Sequence, residues 1–342
     1  MRKLLVRAIL SLPGQWLVAL SGGKPLAIEG RVLDPRLQFI GAMGGRQPSM
    51  ATLTPEQARH AAAEGFALLD APASHDVDIE DIELPVGPGN RTLRARRYAP
   101  RLPNRLVPTL VYFHMGGCVV GDLETCHSFC SQIALRSGCL VVSVDYRLAP
   151  EHKFPAAVED AVASFRWVRD NAAALGGNPA IVAVGGDSAG GYLSAVICQE
   201  MKRLGERPPV LQLLIYPAVD WLSQTASMTS FGNVYPLTTP IMTYFRTLYF
   251  NDPDKEALDL RASPELNNDL SGLPPALVYT AGFDPLVDQG RDYAEALKAA
   301  GVPVLYRCYD RLCHAFTAMG GTVPAARAAL LEIIADLRRA IG

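Results

Sequence analysis

Residues Gly186-Asp187-Ser188-Ala189-Gly190 form a G-x-S-x-G pentapeptide in a chain of 342 residues. A serine hydroxyl is a weak nucleophile at neutral pH. It becomes effective on a tight strand-to-helix turn, beside a base and beside hydrogen-bond donors for a developing oxyanion. The flanking sequence has the order this geometry needs. Ile181-Val-Ala-Val184 is a short β-branched run suited to a buried parallel strand, and Tyr192 to Leu204 places apolar residues at helical spacing. The helix N-terminus then directs backbone N–H groups, including that of Ala189, at the point where negative charge grows.

The partners of such a serine follow in chain order, first Asp or Glu and then His, each after a later strand. Pro275-Ala-Leu-Val-Tyr-Thr280 reads as a strand leading into Gly282-Phe283-Asp284-Pro285, and Val302-Pro-Val-Leu-Tyr-Arg-Cys308 as one leading into Leu312-Cys313-His314. Loops after parallel strands share one carboxyl edge, so Ser188, Asp284 and His314 are expected to converge there. His314 is the base: a neutral imidazole takes the Ser188 proton and returns it to the leaving group, while Asp284 fixes its tautomer. Asp288 is the competing acid, but its place inside the helix beginning at Leu286 fits a capping role better. Upstream, the apolar strand Leu106 to Phe113 runs into His114-Met115-Gly116-Gly117-Cys118. The N–H groups of Gly116 and Gly117, with that of Ala189, are the expected three-donor oxyanion hole.

His-x-Gly-Gly ahead of Gly121-Asp122, Asp145-Tyr146-Arg147-Leu148-Ala149-Pro150-Glu151, Gly-Asp-Ser-Ala-Gly-Gly and Asp284-Pro-Leu-Val-Asp288 follow one another along the chain. In this order they resemble the hormone-sensitive-lipase family of α/β-hydrolase esterases, in its bacterial branch, and the resemblance spans nearly the whole chain. It implies an α/β-hydrolase fold and a carboxylesterase with the triad and oxyanion donors already named. It further implies short- to medium-chain acyl esters as substrates, no cofactor, and a homodimer joined through the strand near Val302 to Tyr309.

Two positions depart from the family pattern. Met115 stands where the family usually has the first of three glycines, and would store strain of roughly 1–3 kcal/mol if the position needs a positive φ. Cys118 replaces a bulky apolar residue and is expected to widen the pocket. Met115, Cys118, Asp187, Phe231 and Tyr235 are the candidate pocket residues. His114 is read as a loop-holding residue, as the resemblance implies, rather than a proton carrier.

The fold expected is α/β: a mostly parallel central sheet flanked by helices, with a helical cap. A hairpin of Val77 to Leu84 and Arg91 to Tyr98, turning at Gly87-Pro-Gly-Asn90, precedes alternating strands and helices that end in an amphipathic helix, Pro324 to Ile341. Residues 51–220 and 252–342 are expected to form the catalytic domain. Residues 1–50 and the aromatic-rich insertion 221–251 form the two parts of the cap, roofing an apolar pocket.

Composition agrees with an enzyme of this kind: 49% hydrophobic residues can fill a large core, and a net charge of −2 offers no basic field for nucleic acid. Seven cysteines, odd in number and mostly within expected strands and helices, argue against a disulfide framework and fit a reducing cytoplasm. Cys126 and Cys130, at i and i+4, share a helical face and with His127 could suggest a metal, but a fourth ligand and the loop geometry are lacking, so no metal is expected. Cys313 abuts the base, and its oxidation or alkylation is expected to impair turnover. Arg7 interrupts the apolar stretch of the first ten residues and no A-x-A site follows, which argues against a signal peptide; the family resemblance implies an amphipathic cap helix here, with at most loose membrane contact. No stable membrane insertion is expected. Amide, carbamate or lactone hydrolysis by the same triad is the related alternative, and a non-catalytic ligand receptor on this fold is the alternative of a different class.

Overall fold

Eight segments pair into one sheet in the computed structural model, which describes residues 2–87, 91–102 and 105–342. The strands are β1 (Val77–Pro85), β2 (Thr92–Pro100), β3 (Val107–Phe113), β4 (Leu140–Val144), β5 (Gly177–Asp187), β6 (Gln212–Ile215), β7 (Ala276–Phe283) and β8 (Val304–Cys313). Their order across the sheet is β8-β7-β6-β5-β3-β4-β2-β1. Strand β2 runs antiparallel to its neighbours β1 and β4, and the other pairings are parallel. The expected hairpin is therefore present, while residues 88–90 of its Gly87–Asn90 turn lie outside the described residues.

Helices α1 (Arg2–Leu10), α2 (Gly14–Leu20), α3 (Pro35–Gly44) and α4 (Pro55–Leu69) precede the sheet. Helices α5 (His127–Ser137), α6 (Ala156–Asn171) and α7 (Ala189–Leu204) make crossovers between strands. The segment between β6 and β7 carries α8 (Ala226–Phe231), α9 (Thr239–Tyr249) and α10 (Pro253–Glu256). Helix α11 (Val287–Ala299) joins β7 to β8, and α12 (Pro324–Ile341) ends the chain.

Side-chain alternation explains the layers. On β3, Val111 and Phe113 enter the same core as Val168 of α6, Leu193 of α7 and Leu297 of α11. Leu110 and Tyr112 point the other way, into a core shared with Phe129 and Ile133 of α5 and Ile333 and Leu337 of α12. Both faces of the parallel strands are thus covered, which is why their sequences read as continuous apolar runs. Burying each such side chain is worth roughly 1.5–3 kcal/mol. Local signals start the early helices: Asp34 caps α3 ahead of Pro35, and Thr54 and Gln57 form a reciprocal capping box on α4.

The parallel strands point their carboxyl ends one way, so the residues following β3, β5, β7 and β8 share one edge. Among the described residues no single helix is long and apolar enough to cross a membrane; one bent pair, Lys3–Leu10 with Gly14–Leu20, reaches that composition only together and turns through 111°.

Candidate active site

Ser188 occupies the first position after β5, with φ 55° and ψ −116°. A non-glycine residue pays for such a conformation with roughly 1–3 kcal/mol, so its surroundings must impose it. They do: its N–H donates to Ile215 O at 2.9 Å, and a Cβ at Gly190 would stand 1.8 Å from Phe113 O. Only glycine lets α7 start this close to β3. Ala189 is the first residue of α7, so its N–H has no acceptor within the helix.

With the ring proton on Nδ1, His314 donates to Asp284 Oδ2 at 2.7 Å, and its Nε2 accepts from Ser188 Oγ at 2.9 Å. All three side chains are buried. The second carboxylate oxygen of Asp284 accepts the Leu286 N–H at 2.9 Å, which fixes the carboxylate plane. Asp288 faces elsewhere: it accepts the Ser227 N–H and pairs with Arg291.

Gly116 and Gly117 adopt φ 131° and 61° beside Ser188. The Gly116 carbonyl accepts from both Val119 N and Val120 N at 3.0 Å, and a Cβ at Gly116 would lie 1.9 Å from Val120 O. The turn therefore excludes any side chain there. Met115 is buried and lines the cavity without a positive φ; the strained non-glycine position is Cys118, at φ 59°. His114 is buried, with Nδ1 bound to Met115 O at 2.7 Å and its ring stacked 4.3 Å from that of Tyr146. Tyr146 in turn donates to His114 O at 2.8 Å. These contacts fit a loop-holding residue.

The cavity over Ser188 and His314 encloses about 880 Å³. Its near wall is Met115, Gly116, Gly117 and Val120. Met50, Phe66 of α4, and Leu237, Ile241 and Phe245 of the insertion supply an apolar roof, and Asp220, Gln224, Thr225 and Gln289 a polar side.

Four candidate pocket residues lie outside this lining. Asp187 is buried beneath the serine, where its Oδ2 accepts from Tyr216 Oη at 3.0 Å and Thr317 Oγ1 at 2.7 Å. Burial pushes its carboxyl pKa up. Cys118 points into the core, and burial raises its thiol to about 12. Phe231 packs on Phe283 with the Arg31 guanidinium over its ring, and Tyr235 lies partly exposed against Gly44 of α3. Aromatic content drew attention to the insertion, whose Phe245 lines the cavity, but could not tell which ring faces inward.

The Cys313 thiol lies 2% exposed and burial pushes its pKa up, which disfavours the thiolate that oxidation and alkylation use. His127 of the Cys126-His127-Cys130 group is engaged by Tyr98 Oη at 2.9 Å and the Arg96 guanidinium at 3.1 Å. Sequence reasoning missed Tyr216, whose ring lies 4.6 Å from that of His314 and packs on it at a tilt of 52°. It also missed Phe66 and Gln289, which reach the cavity from helices far apart in sequence.

A family model for the α/β-hydrolase fold matches residues 110–318. The chain is 41% identical over 327 residues to the carboxylic ester hydrolase LipN of Mycobacterium tuberculosis, covering 93% of this chain and 86% of that protein. It is 34% identical over 308 residues to an ethyl acetate hydrolase of Pseudomonas putida, covering 89% and 96%. Among solved structures, a hyperthermophilic esterase of the archaeon Pyrobaculum calidifontis superposes with a TM-score of 0.82 at 40% identity, over 89% of this chain and 96% of that one. A family model matching more than half of the chain, and relatives aligned along most of their length, establish that this protein belongs to the α/β-hydrolase family, in the hormone-sensitive-lipase branch its motifs resemble.

Proposed function

We propose that this protein is a serine carboxylesterase acting on short- to medium-chain acyl esters through an acyl-enzyme. The observation that carries the reading is the unbroken hydrogen-bonded line Ser188–His314–Asp284 at the floor of a cavity with an apolar roof. The ester-hydrolysing relatives support the reaction class.

In this mechanism Ser188 Oγ attacks the ester carbonyl as its proton passes to His314 Nε2. The carbonyl oxygen becomes an oxyanion, held by the N–H groups of Gly116, Gly117 and Ala189; removing one such donor typically costs about 10²–10³ in rate. Collapse of the tetrahedral species breaks the bond to the alcohol oxygen, which takes the proton from His314. Water then attacks the acyl carbon as its proton passes to His314, and collapse of the second tetrahedral species breaks the acyl–Oγ bond while His314 returns that proton to Ser188 Oγ, releasing the acid. Asp284 keeps the imidazole in the accepting tautomer and stabilises the transient imidazolium.

Residues 1–50 and 221–251 act as the cap in this reading, with Met50 and the α9 side chains closing the acyl pocket. Six of the seven cysteines are buried and none is in a disulfide, which supports a cytoplasmic protein. Strand β8 lies at the sheet edge, which supports a homodimer joined along it; a concentration-independent monomer mass by light scattering would reject that assembly.

The deciding experiment is turnover of p-nitrophenyl esters across a ladder of acyl lengths, with Ser188→Ala alongside. A loss of about 10⁴–10⁶ in kcat for the variant establishes the nucleophile. No turnover by folded, unmodified protein on any rung overturns the reading.

A further inference from the structure

Arg7, Arg36 and Arg327 line one cavity of about 420 Å³, between α1, the start of α3 and the N-terminus of α12. It shares no lining residue with the cavity over Ser188. We propose that this cleft is a binding site for a phosphate group.

Each guanidinium is tethered by one N–H to a backbone carbonyl: Arg7 Nη2 to Asp70 O at 3.3 Å, Arg36 Nε to Leu10 O at 2.9 Å and Arg327 Nε to Gly320 O at 2.9 Å. Those tethers orient the groups without neutralising them. Among the described residues no carboxylate pairs with any of the three, whereas elsewhere arginines cluster on shared acids, Arg91 and Arg147 on Asp160 and Arg166 and Arg169 on Glu206. Arg7 Nε is buried without any acceptor, so the protein offers this cluster fewer acceptors than it has donors.

Asp70 is the acid beside Arg7 and Lys3. Its carboxylate is turned onto the Ala71 N–H at 2.7 Å, and burial pushes its pKa up to about 7, so it offsets the cationic charge only in part. Thr322 and Pro324 bring the positive end of α12 to the same cleft. Three like charges around one cavity repel one another, and a bound anion removes that cost. The tetrahedral oxygens of a phosphate group suit several guanidinium forks at once, where a carboxylate offers only two oxygens.

The phosphate has two natural sources: a lipid headgroup or a free phosphate ester. Helices α1 and α2 leave Leu4, Leu5, Trp16 and Leu20 exposed at 71, 61, 57 and 55%. Apolar side chains next to a cationic cleft are what a headgroup site at a bilayer surface requires.

Two measurements on the full chain separate the sources. The first compares thermal unfolding in potassium phosphate and potassium chloride at equal ionic strength. The second is cosedimentation with phosphatidylcholine vesicles, with and without phosphatidylglycerol. Arg7→Gln, Arg327→Gln and the double variant Leu4→Ser/Leu5→Ser are run beside the unmodified protein, with circular dichroism and ester turnover as controls of folding. Phosphate is expected to raise the unfolding midpoint, and each arginine variant to weaken its binding about tenfold or more. Vesicle binding that needs phosphatidylglycerol, the arginines and the two leucines assigns the site to lipid headgroups. Phosphate protection that needs the arginines, without vesicle binding, assigns it to free phosphate esters. If neither phosphate protection nor vesicle binding responds to the arginine substitutions, the site does not exist.

Discussion

The floor and the roof of the large cavity are built by different means. The floor, Gly116, Gly117, Ser188 and His314, hangs on the ends of parallel strands, and backbone conformation fixes it: φ is 131°, 61° and 55° at the first three, and Ala315 beside His314 sits at 61°. The roof, Met50, Phe66, Leu237, Ile241 and Phe245, is carried by α4 and the inserted helices and is fixed by side-chain packing. One polar tie between its two parts is Tyr244 Oη donating to Leu53 O at 3.1 Å. The chemistry thus depends on atoms that cannot shift without breaking the sheet edge, while the part facing the rest of the substrate can be repacked.

This contrast predicts different kinetic signatures. At the floor, Gly116→Ala forces a Cβ to within 1.9 Å of Val120 O at a φ that L-residues avoid, so the turn must open. We expect kcat for p-nitrophenyl esters to fall about 10²–10³, as for loss of an oxyanion donor, with KM changing far less. A variant with unchanged kcat would separate the loop from the oxyanion. At the roof, Phe245→Ala removes a ring that lies against Gly117 but carries none of the chemistry. KM should rise about tenfold on the longer rungs of the acyl ladder, with kcat on the shortest ester nearly unchanged. A uniform drop in kcat across the ladder would mean that roof and floor are mechanically one unit.

The same contrast explains what the sequence disclosed. Floor residues are legible because each needs a particular residue type at a short spacing: glycine where Gly190 meets Phe113 O, serine between two tight turns, aspartate and histidine after later strands. The strand and helix order was legible for a related reason, since strands buried on both faces must be apolar throughout. Roof positions resisted because helical aromatics pack equally well inward or outward. Phe231 was claimed by Phe283 and Arg31, Tyr235 by the face of α3, and Phe66 entered from a helix whose Thr54–Gln57 capping box stood in the sequence unread. Asp187 misled differently. Its place beside the nucleophile suggested contact with substrate, but its carboxylate is buried and held by Tyr216 and Thr317.

That buried group allows a finer test of how rigid the floor is. Tyr216→Phe keeps the ring against His314 and removes the hydrogen bond to Asp187 Oδ2. Losing one such bond typically costs about 0.5–1.5 kcal/mol of stability. If the ring alone backs the imidazole, kcat should fall only a few-fold. A drop as large as that of Gly116→Ala would place the hydroxyl network, rather than ring packing, in charge of His314.

The smallest effect on turnover is expected where roof and floor meet. Asp70 ends α4, and Gly321, from the loop after His314, packs so closely on it that a Cβ there would lie 2.3 Å from the Asp70 carbonyl carbon. Burial raises the Asp70 pKa from 3.8 to about 7. The folded protein therefore holds a proton there that the unfolded chain has released between these values. Its contribution to stability is complete below pH 3.8 and is lost progressively as the pH rises through 7. Asp70→Asn keeps an oxygen for the Ala71 N–H and cannot ionise. Unfolding midpoints measured from pH 5 to 8 should thus fall more steeply for the unmodified protein than for the variant, by about 1–3 kcal/mol over that range. Ester turnover should be unchanged, because the seam bears on where the roof sits and not on the hydrogen bonds of the floor. Parallel stability profiles would show that Asp70 is solvated and ionised in the folded state, and a loss of turnover in the variant would show that the seam positions the His314 loop as well.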